Sequence, residues 1–308
     1  MKIMFYDDRA SWLAARRGTI GGSDVPVILG LSRYSSPLEL WSRKKGLIPD
    51  SDLVTPRMKI GAALEPALLE MLADEAGVFV EPTSYAIVAH DAIPEFAYSP
   101  DGFVLAIEDG RKGNILGLAE VKNRAGFGAA DEWAESVPPD VNAQAQHGLD
   151  CSGLPFAWVG ALIMGGEFRW QKVARDDVWI AEARPRLLDF ARRLREDDPP
   201  PPTGSEGDRA ALTAIYPRES SAKTIALPGE FLDLAWQLDE AQDTAEKAKD
   251  AVETIRNKVR AAMGDAEKAV LVDGSSFTWK TQVAHFKARE AYTQESRVLR
   301  RSKAKGGR

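Results

Sequence analysis

Four consecutive prolines, Pro199 to Pro202, set the first limit on what this chain can fold into. With φ fixed and no N–H to donate, such a run fits neither a helix interior nor a central strand. It reads as a stiff, extended linker. The division predicted from it is a first domain over 1–196, a Pro-rich linker over 197–209 and a second region over 210–308. At roughly 150 residues per domain, the 308 residues suit this two-part reading. The chain is long enough to bury a core without disulfides. A lone cysteine, Cys151, excludes an intramolecular disulfide framework, a Cys-based zinc site and a four-cysteine iron–sulfur cluster. With only His90, His147 and His285 besides, oxygen donors must dominate any metal site. The formal net charge of -6 leaves no bulk basic excess, so contact with nucleic acid must come from a local patch. No apolar run approaches the roughly 18 residues of a membrane span, and MKIMFYDDRASW has no signal-peptide apolar core. The expected setting is a reducing cytoplasm, away from membranes.

Upstream of the prolines the pattern is mixed. Helical spacing and Gly or Ser-Pro stops give short helices at about 7–17, 22–30 and 37–45. Thr55-Pro56 reads as an N-cap and first helical residue, opening a longer helix that stops at Gly77. Apolar β-like runs follow at 85–89, 102–107 and 115–122, then a helix over 139–151, strands near 156–164 and 168–173, and a helix over 177–196. Helices, then a β-meander, then helices is an α/β or α+β arrangement, a mixed central sheet flanked by helices. Downstream, Phe231, Leu234, Leu238, Ala241, Ala245, Ala248, Val252, Ile255, Val259 and Ala262 recur in steps of three and four. That is an a/d heptad pattern over four heptads, a helix about 50 Å long at 1.5 Å per residue. It suits a coiled coil or, alternatively, an intramolecular helical hairpin against 177–196. A β-hairpin over 268–282 and a basic tail, 297–308, with six basic and no acidic residues, complete the C-terminal extension.

The chemistry concentrates in Ser99-Pro100-Asp101-Gly102 and Glu120-Val121-Lys122, joined by the turn-rich loop 108–113. A hairpin centred between Gly110 and Arg111 pairs positions that sum to 221, which sets Asp101 opposite Glu120. Alternation along the strand puts Glu120 and Lys122 on one face and turns Val121 into the core. Two carboxylates so close repel unless a cation lies between them, and hard oxygen ligands select Mg²⁺ or Mn²⁺ over zinc. A lysine beside such a site can orient or deprotonate water, as hydrolysis of a phosphodiester requires. The plainer alternative is a turn-capping Asp101 and a solvated strand face carrying Glu120 and Lys122. Glu65 borders the apolar stripe of its helix, where an unpartnered carboxylate is costly, and Pro66 directly follows at a position that is either functional or a simple kink.

Gly61-x-x-x-Glu65-Pro66, Ser99-Pro100-Asp101-Gly102, Glu120-Val121-Lys122 and Gln144-Ala145-Gln146-His147, with the opening run Trp12 to Asp24, resemble the YqaJ-like viral recombinase family. These are relatives of lambda exonuclease in the PD-(D/E)XK nuclease superfamily. The resemblance spans roughly residues 10–195 and implies a restriction-endonuclease-like core. It implies Asp101, Glu120 and the Val121 carbonyl as metal ligands, with Glu65 completing the site and Lys122 beside the attacking water. Gln144 would support that water or the scissile phosphate. Arg16, Ser23 and Ser99 would grip a terminal 5′-phosphate, with forked guanidinium donors suited to its oxygens. The implied activity is a Mg²⁺-dependent 5′-to-3′ exonuclease on linear duplex DNA, a two-ion enzyme in which Mn²⁺ substitutes. Its 3′ overhangs would pass to a phage single-strand annealing protein in a bacterial host, and a homotrimer is the oligomer the resemblance suggests.

Other readings compete at each point. An endonuclease or single-strand nuclease of the same fold, or a non-catalytic DNA-binding or assembly protein, could carry the same motifs. Arg17 is the register alternative to Arg16, Ser23 could be only an N-cap, and Gln146 is the alternative to Gln144. His147 reads as structural, Trp12 and Trp41 as core, and Cys151 as a buried apolar residue.

Overall fold

The computed structural model describes residues 1–48, 56–126, 128–220 and 223–283, and at Arg57 the backbone alone. Thr55 and the basic tail lie outside the described residues. The chain divides into two units, Met1–Pro217 and Arg218–Arg308.

The first unit opens with β1 (Lys2–Phe5), α1 (Arg9–Arg17), a single 3₁₀ turn (Gly22–Asp24), α2 (Val25–Ile28), α3 (Pro37–Lys44) and α4 (Pro56–Ala76). Next come β2 (Phe79–Pro82), β3 (Ala86–Ala89), β4 (Ala97–Tyr98), β5 (Gly102–Glu108) and β6 (Arg111–Arg124). The unit closes with α5 (Ala129–Glu132), α6 (Pro139–Ser152), β7 (Phe156–Ile163), β8 (Glu167–Ala174), α7 (Asp177–Glu196) and α8 (Glu206–Ile215). The central sheet has five strands in the order β2-β5-β6-β7-β8, antiparallel except for the parallel pair β6/β7. This is the expected mixed sheet flanked by helices. The longer helices and central strands fall within a few residues of the spans read from the sequence. The short strands β1, β2 and β4 were not foreseen, because two to four residues carry too little alternation to register.

Both faces of the sheet are covered, and the burial of β6 records it. Its first arm alternates between exposed and partly covered residues, whereas Gly117 to Val121 are buried without a break, as expected of a strand covered on both faces. On one face Ala119 and Val121 pack with Leu68, Leu69 and Leu72 of α4. On the other, Leu118 joins a larger core with Leu149 of α6 and with Leu187 and Phe190 of α7. Ten of the fourteen residues of α6 are buried, which makes it the central helix. Small side chains allow that crowding: added Cβ atoms at Gly22 and Gly148 would stand 2.7 Å and 2.8 Å from the Tyr98 ring. Tyr98 therefore sits in a slot that two glycines keep open.

The β5–β6 hairpin corrects one expectation and preserves its result. The turn is the two-residue Asp109-Gly110, both at positive φ (49° and 74°), the type I′ geometry favoured by Asp-Gly. Its centre is thus one residue earlier than predicted, and near the turn Glu108 pairs with Arg111. Two register shifts follow, each giving β6 one extra residue, so that Gly102 pairs with Ala119. Continuing one step sets Asp101 beside Glu120, as the simpler register implied.

The proline run behaves differently from a spacer. Pro200 is buried, and Asp208 of α8, itself buried, accepts hydrogen bonds from Ser36 at the N-cap of α3 and from the N–H and hydroxyl of Thr203. The stretch 197–209 and α8 thus belong to the first unit, and the unit boundary falls at Pro217 instead of within 197–209. The anchor is a long-range pair, which composition cannot reveal.

The second unit contains α9 (Glu230–Met263), β9 (Lys268–Val270) and β10 (Ser276–Thr278). The heptad run is one helix of 34 residues, and the hairpin forms where expected.

Gly148→Ala drives a methyl group into Tyr98 and Leu118. It should lower the unfolding free energy by about 1–3 kcal/mol, as overpacking of a filled core does; urea denaturation at fixed slope would measure it.

Candidate active site

A cleft of about 560 Å³ opens where β5 begins and β6 runs on past it. With no β5 residue left to pair, the open edge of β6 meets a side chain instead: Asp101 Oδ2 accepts the Val121 N–H at 2.8 Å. The N–H and C=O of one strand residue point to the same edge, so the Val121 carbonyl faces the cleft edge as well. Thr83 fixes the preceding loop, its N–H donating to the Asp101 carbonyl at 2.9 Å and its hydroxyl to the Pro100 carbonyl.

Glu120 is only 1% exposed, and its carboxylate is held by three donors. Lys122 Nζ and Gln144 Nε2 (2.7 Å) donate to Oε1, and the Tyr98 hydroxyl donates to Oε2. Glu65, half-buried on α4, lines the same cleft. Burial, reinforced by the Glu120 charge, lifts the Asp101 carboxyl well above its usual range despite the nearby Lys122 ammonium. The same two causes, in the same order, raise Glu65. Burial works against the Lys122 ammonium, but attraction to Glu120 and Asp101 overcomes it and raises its pKa. Burial and then Glu120 push the Tyr98 phenol far up, so it stays a donor.

Three carboxylates therefore share a cleft with one ammonium, and their mutual repulsion is what a cation would relieve. Hard oxygen donors from Asp101, Glu120, Glu65 and the Val121 carbonyl suit Mg²⁺ or Mn²⁺. Among the described residues no three His, Cys, Asp or Glu side chains form a ready-made metal cage. The donor set fits in chemistry, while Glu120 is turned toward its own hydrogen-bond partners.

In the same cleft Arg16 lies over the Trp12 ring, 4.4 Å from its centroid, and donates from Nη2 to Ser23 Oγ at 3.3 Å. Burial lowers its pKa in spite of Asp24 and Glu120, and the residue is half-buried. Trp12 Nε1 donates to Ser99 Oγ at 3.1 Å, so Trp12 ties Arg16 and Ser99 together. Arg16, Glu65, Ser99, Asp101, Glu120, Val121, Lys122 and Gln144 thus line one cleft, and Ser23 joins it through Arg16. Arg17 lines a separate hollow with Lys44, Lys45 and Arg195. Gln146 is a strut, donating to the Ala174 carbonyl at 2.8 Å and accepting from the Asp176 N–H at 2.9 Å. His147 is buried, with Nε2 between the carbonyls of Ile20 and Ala97; Cys151 and Trp41 are buried too.

Sequence reasoning gave Trp12 to the core and overlooked Tyr98 and Tyr85. Trp12 is a half-buried wall of the cleft. Tyr85 packs against it at 5.9 Å with φ 54°, a backbone conformation rare for an aromatic residue. The missed signal for Tyr98 was its place immediately before Ser99-Pro100-Asp101.

Residues 11–155 match the YqaJ-like viral recombinase domain, a span that includes every candidate site residue. The uncharacterized protein YqaJ of Bacillus subtilis (strain 168) is 27% identical over 287 residues, 90% of this chain and 85% of that protein. Since the first unit ends at Pro217, this likeness extends beyond the YqaJ-like domain into the second unit. Among solved structures, the alkaline exonuclease LHK-Exo of Laribacter hongkongensis is 23% identical, with TM-score 0.49, over 61% of this chain and 94% of that one. A phage-related exonuclease from Haemophilus somnus 129PT is 10% identical, with TM-score 0.43, over 58% and 94%. Among the described residues no helix is long and apolar enough to cross a membrane.

The raised Asp101 pKa carries a sign. A carboxyl that holds its proton more tightly folded than unfolded makes folding progressively less favourable as pH rises above its ordinary value of 3.8. Asp101→Asn, which keeps an acceptor for the Val121 N–H, should therefore raise the thermal midpoint at neutral pH. The gain should shrink as pH falls toward 3.8; scanning calorimetry over a pH series would read both.

Proposed function

We propose that this protein is a Mg²⁺-dependent 5′-to-3′ exonuclease that degrades one strand of linear double-stranded DNA and leaves 3′ single-stranded overhangs. The observation that carries this reading is the meeting, in one cleft, of Asp101, Glu120, Glu65 and Lys122 with Arg16, which donates to Ser23. The YqaJ-like viral recombinase domain supports a role in phage-type recombination in a bacterial host. There the overhangs would pass to a single-strand annealing protein. A homotrimer is the assembly expected from the resemblance.

In this mechanism Asp101, Glu120 and the Val121 carbonyl, with Glu65, would hold the metal, two ions in all, with Mn²⁺ able to substitute. Such ions, when bound, supply Lewis-acid polarisation of the scissile phosphate. Lys122 steadies the attacking water through its ammonium protons. Gln144 keeps Glu120 oriented and presents an amide toward the same region. Tyr98 acts as a positioning residue, holding the far carboxylate oxygen of Glu120. Arg16 and the hydroxyls of Ser23 and Ser99 receive the terminal 5′-phosphate. The forked guanidinium donors suit phosphate oxygens, and charge-assisted hydrogen bonds of this kind are the stronger ones.

Incubation of linear, 5′-phosphorylated duplex with Mg²⁺ should shorten one strand from its 5′ end, and EDTA should stop it. Lys122→Ala should slow the reaction by about 10²–10³-fold, the usual worth of a preorganised hydrogen-bond donor. Closed circular duplex should survive; its cleavage would point to an endonuclease, and tight DNA binding without cleavage to a non-catalytic module. Arg16→Ala should erase the preference for phosphorylated over hydroxyl ends, and equal rates on both in the unaltered protein would defeat that assignment. Tyr98→Phe should cost about 10–100-fold in activity or metal affinity, as the loss of a supporting hydrogen bond to a ligand commonly does.

A further inference from the structure

We infer that α9 is a self-association helix that pairs antiparallel with α9 of a second copy of this chain. Along its 34 residues only Met263 is buried. The heptad positions Leu234, Leu238, Val252 and Ile255 are each more than two-fifths exposed. The helix at 177–196 is no candidate for covering them, since its own apolar face, including Leu187, Phe190 and Ala191, is spent in the core of the first unit.

Charge selects both the partner and its direction. From 230 to 246 the helix carries six acidic residues and no basic one; from 247 to 263 it carries five basic and two acidic. Packed helix axes lie about 8–10 Å apart, within about one screening length at physiological salt. A parallel pair would set acidic half against acidic half and basic against basic. An antiparallel pair sets each acidic half on a basic one.

The seam points the same way. Turned about an axis near 246–247, Phe231 meets Ala262 of the other copy, Leu234 meets Val259, Leu238 meets Ile255, Ala241 meets Val252 and Ala245 meets Ala248. Every layer then joins an a position to a d position. The bulky first turns meet the smaller last ones, and the alanine centre allows close approach. An open groove runs along Ala241, Ala245 and Ala248. At the C-terminal end a hollow of about 220 Å³ is lined by Ile255, Val259, Met263, Phe277 and Trp279. The second copy's Leu234 falls against Val259 and fills it. Leu232 and Trp236, though exposed, lie off the seam.

Sedimentation of the full chain over a range of concentrations tests this without reference to nuclease activity. The unaltered protein should show an association that Ala245→Glu reduces to half the mass, six chains to three where the first units form the expected trimer and two to one where they do not, and that Trp236→Gln leaves intact. Under oxidation, the double variant Leu234→Cys/Val259→Cys should form disulfide-linked dimers and Leu234→Cys alone should not. Cys151 is buried and stays out of the reaction. Linking by Leu234→Cys alone would mean a parallel pair and overturn the proposal. So would an assembly mass indifferent to Ala245→Glu, or a chain whose α9 associates only with a different protein.

Discussion

A carboxylate in the middle of a buried strand governs the layout of the first unit. Glu120 sits in β6 with its side chain almost wholly out of water, and a charge there is tolerable only if donors surround it. Those donors come from three places: Lys122 two residues along the strand, Gln144 on α6 and Tyr98 at the end of β4. Each imposes a further demand. Tyr98 needs a slot, which Gly22 and Gly148 leave open, and α6 needs small residues to come close enough for Gln144 to reach. The central helix is therefore as much a support for one carboxylate as it is a layer of the core.

The same demands explain the electrostatics of the cleft. Lys122 is largely committed to Glu120, which leaves Asp101 and Glu65 short of compensating charge, and both hold their protons more tightly than free carboxyls do. In the same cleft a half-buried guanidinium rests on an indole and donates to a hydroxyl. The cleft thus offers carboxylates for a cation and a guanidinium for an anion.

Much of this was legible in the chain itself, for specific reasons. Asp101, Glu120 and Lys122 could be placed because a hairpin converts spacing into proximity, and Glu65 because helical spacing set it beside an apolar stripe. Tyr98 and Trp12 were not, since each acts through a partner remote in sequence: Tyr98 through Glu120, Trp12 through Ser99. The strap after α7 was misread for the same reason. Proline composition describes local stiffness, whereas the anchoring of Asp208 on Ser36 joins residues 172 apart. The heptad of α9 was the opposite case, visible along its whole length because every contributing residue is local.

The two extra residues in β6 have a consequence for how such a hairpin can change over evolutionary time. A bulge absorbs its extra residue locally, so the residues beyond it keep the faces that their β5 partners set, and Glu120 and Lys122 stay on the α6 side. The arm between the Asp109-Gly110 turn and Gly117 can therefore gain or lose a residue at a bulge without moving the carboxylate.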